Sequence, residues 1–162
     1  MQSRQPGHHR RAAIDEPYDL ARFVLAQQGV YGQVCAELGA GVKLSHWMWF
    51  IFPQLKGLGS SPTAQRFGIS SLAEARAYLA HPLLGERLRS CTRLVNQIPA
   101  STAQAIFGPP DELKFRSCMT LFAYAALGCG DASGAAENEV FGEALARYFA
   151  GEADPLTRER LP

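Results

Sequence analysis

Apolar residues along this chain recur mostly at intervals of three and four, the period of a helix with one buried face. Over residues 18–38, Leu20, Phe23, Val24, Val30, Tyr31, Val34, Cys35 and Leu38 keep that spacing. Gly29 is placed to divide or kink the run, and Gly39, Ala40 and Gly41 to stop it. Ser71 and Glu74 match a capping box and predict a helix to Ala80. His81 and Pro82 then break the pattern, with Pro82 suited to the first position of a further helix ending near Gln97. A second capping-box match at residues 101–104, led by Ser101, precedes a short helix ended by Gly108. Residues 111–127 and 138–149 read as helices closed by Gly128 and Gly151, and Asp154 with Pro155 opens a terminal one. The stretch GCGDASGAA, residues 128–136, reads as a small-residue loop. No segment alternates long enough to predict a half-buried strand. The pattern therefore predicts an all-α fold, a compact single-domain orthogonal bundle of about seven to nine helices around a central aromatic segment.

That segment is SHWMWFIFPQ, residues 45–54. With Ser45 as N-cap, a helix over 46–52 stopped by Pro53 places His46, Trp49, Phe50 and Pro53 on one side. Trp47, Ile51 and Gln54 fall on another, and no face is left polar. As a strand, both faces would also be apolar. Either way the segment must be covered all round, and it reads as a core strut or as a strut that also walls a pocket. The indole N–H groups and the His46 ring still need polar partners. The turn that follows, KGLGSS, runs into a helix with Ser61 as N-cap and Pro62 at its first position. Its amides, hydroxyls and Lys56 are suited to an anion such as phosphate, although the same composition also makes an ordinary turn. Farther on, Ser117, Thr120 and Tyr124 form a polar stripe on an apolar helix. Lys114 and Arg116 sit near that helix's start, pairing with Asp111 or Glu112 or facing an anionic ligand.

Composition narrows the classes of function. The 162 residues are 47% hydrophobic and 19% charged, with a formal net charge of +1 that gives no electrostatic case for generic nucleic-acid binding. The longest uninterrupted apolar run, residues 47–52, is far short of a membrane span. Residues 1–16 carry basic groups but no apolar signal segment, and read as a disordered tail ahead of a single helical domain over 17–162. The His8, His9, Arg10 and Arg11 cluster fits a solvated tail better than a ligand site. Four cysteines (Cys35, Cys91, Cys118 and Cys129) lack metal-ligand spacing and suit a reduced, cytoplasmic protein. The chain has no GxSxG, HExxH or EF-hand pattern, and no metal or cofactor is predicted.

The stretch SHWMWFIFPQLKGLGSS, then QRFGISSLAEARAYLAHPLLGERL, then IFGPPDELKFRSCMTLF resembles the bacterial domain-of-unknown-function family numbered 1810. The likeness runs from about Tyr18 to the closing GEADPLTRERL. It implies a compact, mainly helical cytoplasmic protein and no particular activity. Members are sometimes labelled calpastatin-like, but calpastatin-type inhibitors are disordered and this chain is rich in periodic helices. A much fainter similarity is to N-glycosidases acting on ADP-ribose-like and riboflavin-pathway intermediates, whose catalytic residues do not map one by one onto this chain.

The sequence thus nominates one pocket. Lys43, Ser45, Trp47, Trp49, Gln54, Lys56, Gly57, Gly59, Ser60, Ser61, Lys114 and Ser117 would bind a nucleotide-like or phosphorylated small molecule. His46 or Asp111 would act as acid or base, with N-glycosidic hydrolysis the chemistry in view. The alternative is a non-enzymatic interaction module in which the tryptophan segment is purely structural. Oligomeric state is left open.

Overall fold

The computed structural model describes residues 17–127 and 132–162. Among the described residues ten helices follow one another: α1 (Ala21–Gln27), α2 (Tyr31–Ala40), α3 (Met48–Ile51), α4 (Pro62–Phe67), α5 (Leu72–Ala80), α6 (Leu84–Asn96), α7 (Ala103–Phe107), α8 (Asp111–Ala126), α9 (Ala132–Phe149) and α10 (Pro155–Arg160). This exceeds the seven to nine anticipated, because Gly29 at φ +82° separates α1 from α2 instead of kinking one helix. Among the described residues the one β-like pairing is a parallel bridge between Leu55 and Ile69.

Helix α8 is the centre of the packing and touches α5, α7, α9 and α10. Its buried residues include Phe115, Cys118, Met119, Leu121, Phe122 and Ala125, a wider face than one stripe, as its central place requires. The predicted aromatic centre is present. Phe52 sits edge-on to Phe115 at 5.0 Å and to Phe107 at 5.8 Å, and Phe107 stacks on Phe115 at 4.6 Å. A second aromatic line runs from Phe23 to Tyr78 and on to Phe122 and Phe141. Each large side chain buried this way contributes on the order of 1.5–3 kcal/mol.

The local signals mostly hold, with shifts that have visible causes. Ser71 caps α5 as expected, but Glu74 reaches back to Ser70, accepting from its amide at 2.8 Å and its hydroxyl at 2.7 Å. Thr102, not Ser101, caps α7. Helix α6 begins two residues after Pro82, because the His81 ring Nδ1 accepts the amides of Leu83 and Leu84 and serves as the cap. The stretch expected as a loop over 128–136 is helical from Ala132 onward, in keeping with its alanines. The rest of that loop, and the 1–16 tail, lie outside the described residues. The expected helix over 46–52 shortens to one turn, Met48–Ile51, because Ser45 is held elsewhere.

Candidate functional site

The residue that holds Ser45 is Glu37. Helix α2 ends on Gly41 at φ +89°, and the chain doubles back past the helix's last turn. There the Glu37 carboxylate, 3% exposed, captures it. One oxygen accepts the Leu44 amide at 2.7 Å, the Ser45 amide at 2.9 Å and the Trp47 indole N–H at 2.9 Å. The other accepts the Ser45 hydroxyl and the Gln33 amide. Burial alone would raise the Glu37 pKa, but the Ser45, Gln33 and Leu44 donors outweigh it and hold the group far below the ordinary range. The buried Trp47 N–H thus has its partner in a fixed anion.

Glu37 thereby sets the course of residues 42–47, and the Lys43 amide is pinned to the Ile106 carbonyl at 2.7 Å. The Lys43 ammonium then lies 2.9 Å from one oxygen of Asp111, at the start of α8. Lys114, one turn along α8, lies 2.9 Å from the other oxygen. The three side chains are 9%, 18% and 20% exposed in the order Lys43, Asp111, Lys114. Each ammonium also faces an indole, Lys43 over Trp47 at 5.4 Å and Lys114 over Trp49 at 4.2 Å. Partial burial opposes ionisation of Asp111, but hydrogen bonds and charge from Lys114 and Lys43 prevail and keep its pKa below normal. Trp49 is hemmed in by the turn that follows: a Cβ on Gly59 would lie 2.9 Å from the Ala64 Cβ and 3.4 Å from the Trp49 ring. The cluster carries two cations against one anion. Each ammonium has three protons and spends one on Asp111, so donors remain for a second anion.

The other expected site residues divide. Ser45 is consumed by Glu37. His46 is exposed on the bend before α3 and bonds to none of these groups. Gln54 is buried beside the bridge, its carbonyl accepting the Ile69 amide at 2.9 Å. Ser117 donates back to the Leu113 carbonyl within α8. Ser61 caps α4 through the Ala64 amide, and the Ser60 carbonyl accepts from the Gln65 side chain. The turn does not close over the cluster as a unit: Lys56 and Gly57 look toward α10 and the start of α5. Lys43, Trp47, Trp49, Gly59, Asp111 and Lys114 are therefore the members brought together. Arg116 instead binds the carbonyls of Glu152 and Ala153.

Sequence reasoning missed Glu37 as the organiser. The signal was a carboxylate set beside Val34 and Leu38, on the apolar side of a helix, where only a paired charge is tolerated. A cavity of about 240 Å³ at the ends of α2 and α6, bounded by Leu38, Leu94 and Pro99, has no titratable side chain in its lining. Among the described residues, no three His, Cys, Asp or Glu side chains converge as metal ligands. No helix among them is long and apolar enough to cross a membrane.

The family model described as "Protein of unknown function (DUF1810)" matches residues 17–161. The chain belongs to that family. The DUF1810 fold is also seen in the crystal structure of the conserved hypothetical protein Rv1873 from Mycobacterium tuberculosis. That protein is 54% identical to this chain, with a TM-score of 0.83 over 90% of this chain and 98% of the other. A search of curated proteins returned no match. DUF1810 membership attaches no activity to the chain.

Proposed function

We propose that this DUF1810 protein binds a nucleotide-like or otherwise phosphorylated small molecule at the Lys43/Asp111/Lys114 cluster. The observation that carries this reading is the convergence of two largely buried ammonium groups on one carboxylate, each over an indole. The spare ammonium protons take the phosphate, and the half-buried Trp49 offers a surface for a planar ring. Asp111, held ionised, is a poor proton acceptor at neutral pH. Both of its oxygens are taken by ammonium groups, so its part is to hold Lys43 and Lys114 in place for the phosphate, and N-glycosidic hydrolysis is the reaction we propose for a nucleotide-like ligand held there. The exposed His46 is dropped from the catalytic role. Free thiols at Cys35, Cys91 and Cys118 support a reducing, cytoplasmic setting.

Trp47 and Trp49 are the only tryptophans, so ligand binding reads directly in emission. Titration with ADP-ribose and with nicotinamide mononucleotide should change Trp49 emission and raise the melting temperature. Lys114→Ala should weaken the response at least tenfold, and any base release should fall with it. Absence of any response to either compound, or an unchanged response in Lys114→Ala, refutes the reading.

One observation favours the interaction-module alternative. Leu44 and Leu113, neighbours in sequence of Lys43 and Lys114, are 73% and 55% exposed, an apolar surface beside the cluster. Self-association lost in Leu44→Ser, with no nucleotide response, would support it.

A further inference from the structure

Lys56, expected to serve the aromatic site, belongs instead to a different cavity. We infer that this cavity is a second anion site, one that takes a phosphomonoester. The inference is independent of the Lys43/Asp111/Lys114 reading.

The cavity, of about 400 Å³, lies between the Leu55 bridge, the start of α5 and the end of α10. Lys56 and Arg160 both line it, as does the final residue, Pro162, and no acidic side chain does. None of the ion pairs among the described residues uses either cation. Both are seated by close backbone approach. The Lys56 amide donates to the Ile69 carbonyl at 2.8 Å. A Cβ on Gly68 would lie 2.7 Å from the Lys56 Cα, so only glycine lets the stem of Lys56 pass there. Gly57, at φ +97°, would bring a Cβ to 3.2 Å from the Arg160 guanidinium, which therefore lies against the turn that carries Lys56.

The buried carboxylate on α5 is already committed. Glu74 pairs with Arg22 at 2.8 Å and accepts from Ser70, so its charge is spent outside the cavity. The Ser71 hydroxyl accepts the Glu74 amide and keeps its own proton to donate. Two cations of opposite chemistry, a planar fork and a point charge, thus face one hydroxyl across a volume in the range of small-ligand sites. Leu55, Leu72 and Leu161 supply an apolar wall. A phosphate group meets the cations and a short apolar ester group meets the leucines, a division that free phosphate uses only in part.

Calorimetric titration of the full chain at low salt with phenyl phosphate and with inorganic phosphate tests this. Phenyl phosphate should bind, at least threefold tighter than inorganic phosphate. The double variant Lys56→Ala/Arg160→Ala should lose tenfold or more, and Arg160→Lys several-fold because the fork is gone. Both side chains are exposed, so circular dichroism should show the variants folded. In Lys43→Ala/Lys114→Ala any phosphate binding at the first site is removed, and the phenyl phosphate binding that depends on Lys56 and Arg160 should persist. No heat with phenyl phosphate, undiminished binding in Lys56→Ala/Arg160→Ala, or equal affinity for the two probes overturns the assignment. Loss confined to Lys43→Ala/Lys114→Ala would also overturn it and credit the first site.

Discussion

Replacing Glu37 by glutamine keeps the shape of the side chain and removes the charge on which residues 42–47 are hung. Three donors meet one oxygen: the Leu44 amide at 2.7 Å, the Ser45 amide at 2.9 Å and the Trp47 indole at 2.9 Å. A glutamine carbonyl has two lone pairs to share among the three donors, so the bonds are kept in weakened form and without charge assistance. Hydrogen bonds to a charged partner contribute about 1.5–3 kcal/mol and neutral ones about 0.5–1.5, so each weakens by roughly 1 kcal/mol. The new amide faces the Ser45 hydroxyl and the Gln33 amide, both of which can turn to accept. The expected loss for Glu37→Gln is therefore about 3 kcal/mol. Glu37→Ala should cost roughly 2 kcal/mol more, because the buried Trp47 N–H and its neighbours are left unpaired. Urea unfolding at 25 °C, followed by tryptophan emission and circular dichroism, measures both. The sign of the pH dependence follows from a folded-state pKa lower than the unfolded one. The stabilisation by Glu37 is complete above the unfolded value of about 4.3 and is lost as pH falls toward the folded value. The gap between the native protein and Glu37→Gln should be full at pH 7 and narrow as pH drops below about 4. A gap under about 1 kcal/mol at pH 7, or one that stays constant into acid, would refute the role given to this carboxylate.

Three further outcomes follow from single contacts. Gly85→Ala should destabilise by at least about 2 kcal/mol in urea, because the new Cβ would sit 2.1 Å from the Leu79 carbonyl oxygen and force α5 and α6 apart. His81→Ala should cost about 1 kcal/mol through loss of the cap on Leu83 and Leu84, while His81→Asn should recover most of it; equal losses in the two would mean the ring matters for packing. Asp111→Asn should lower stability at pH 7 and have little effect at a pH below the depressed folded value, where Asp111 itself is protonated; a pH-independent loss would show that charge pairing with Lys43 and Lys114 is not its contribution.

By itself the sequence determined the class of fold and most of its punctuation. Helical periodicity is a local property, set by 3.6 residues per turn, and so are the stops at Gly29, Gly41 and Gly108 and the caps at Ser61, Ser71 and Asp154. The aromatic segment had to be central because it has no polar face, and Phe52 does meet Phe107 and Phe115. A pairing of Lys114 with Asp111 or Glu112 was legible as one of the alternatives, and the three-residue spacing on a helix makes Asp111 its neighbour. Lys43 joining them was not, since it depends on where the turn after α2 meets α8, across 68 positions of chain between Lys43 and Asp111. Whether Ser45 capped a helix or served a carboxylate was likewise decided by Glu37, whose burial only the packed chain defines. The same holds for Lys56, which turns away from the tryptophans toward Arg160 because Ile69 and Gly68 fix its backbone. Periodicity and caps follow from neighbours in sequence. The partner of a charge depends on which distant segments folding brings within 3 Å of it, and only the tertiary structure decides that.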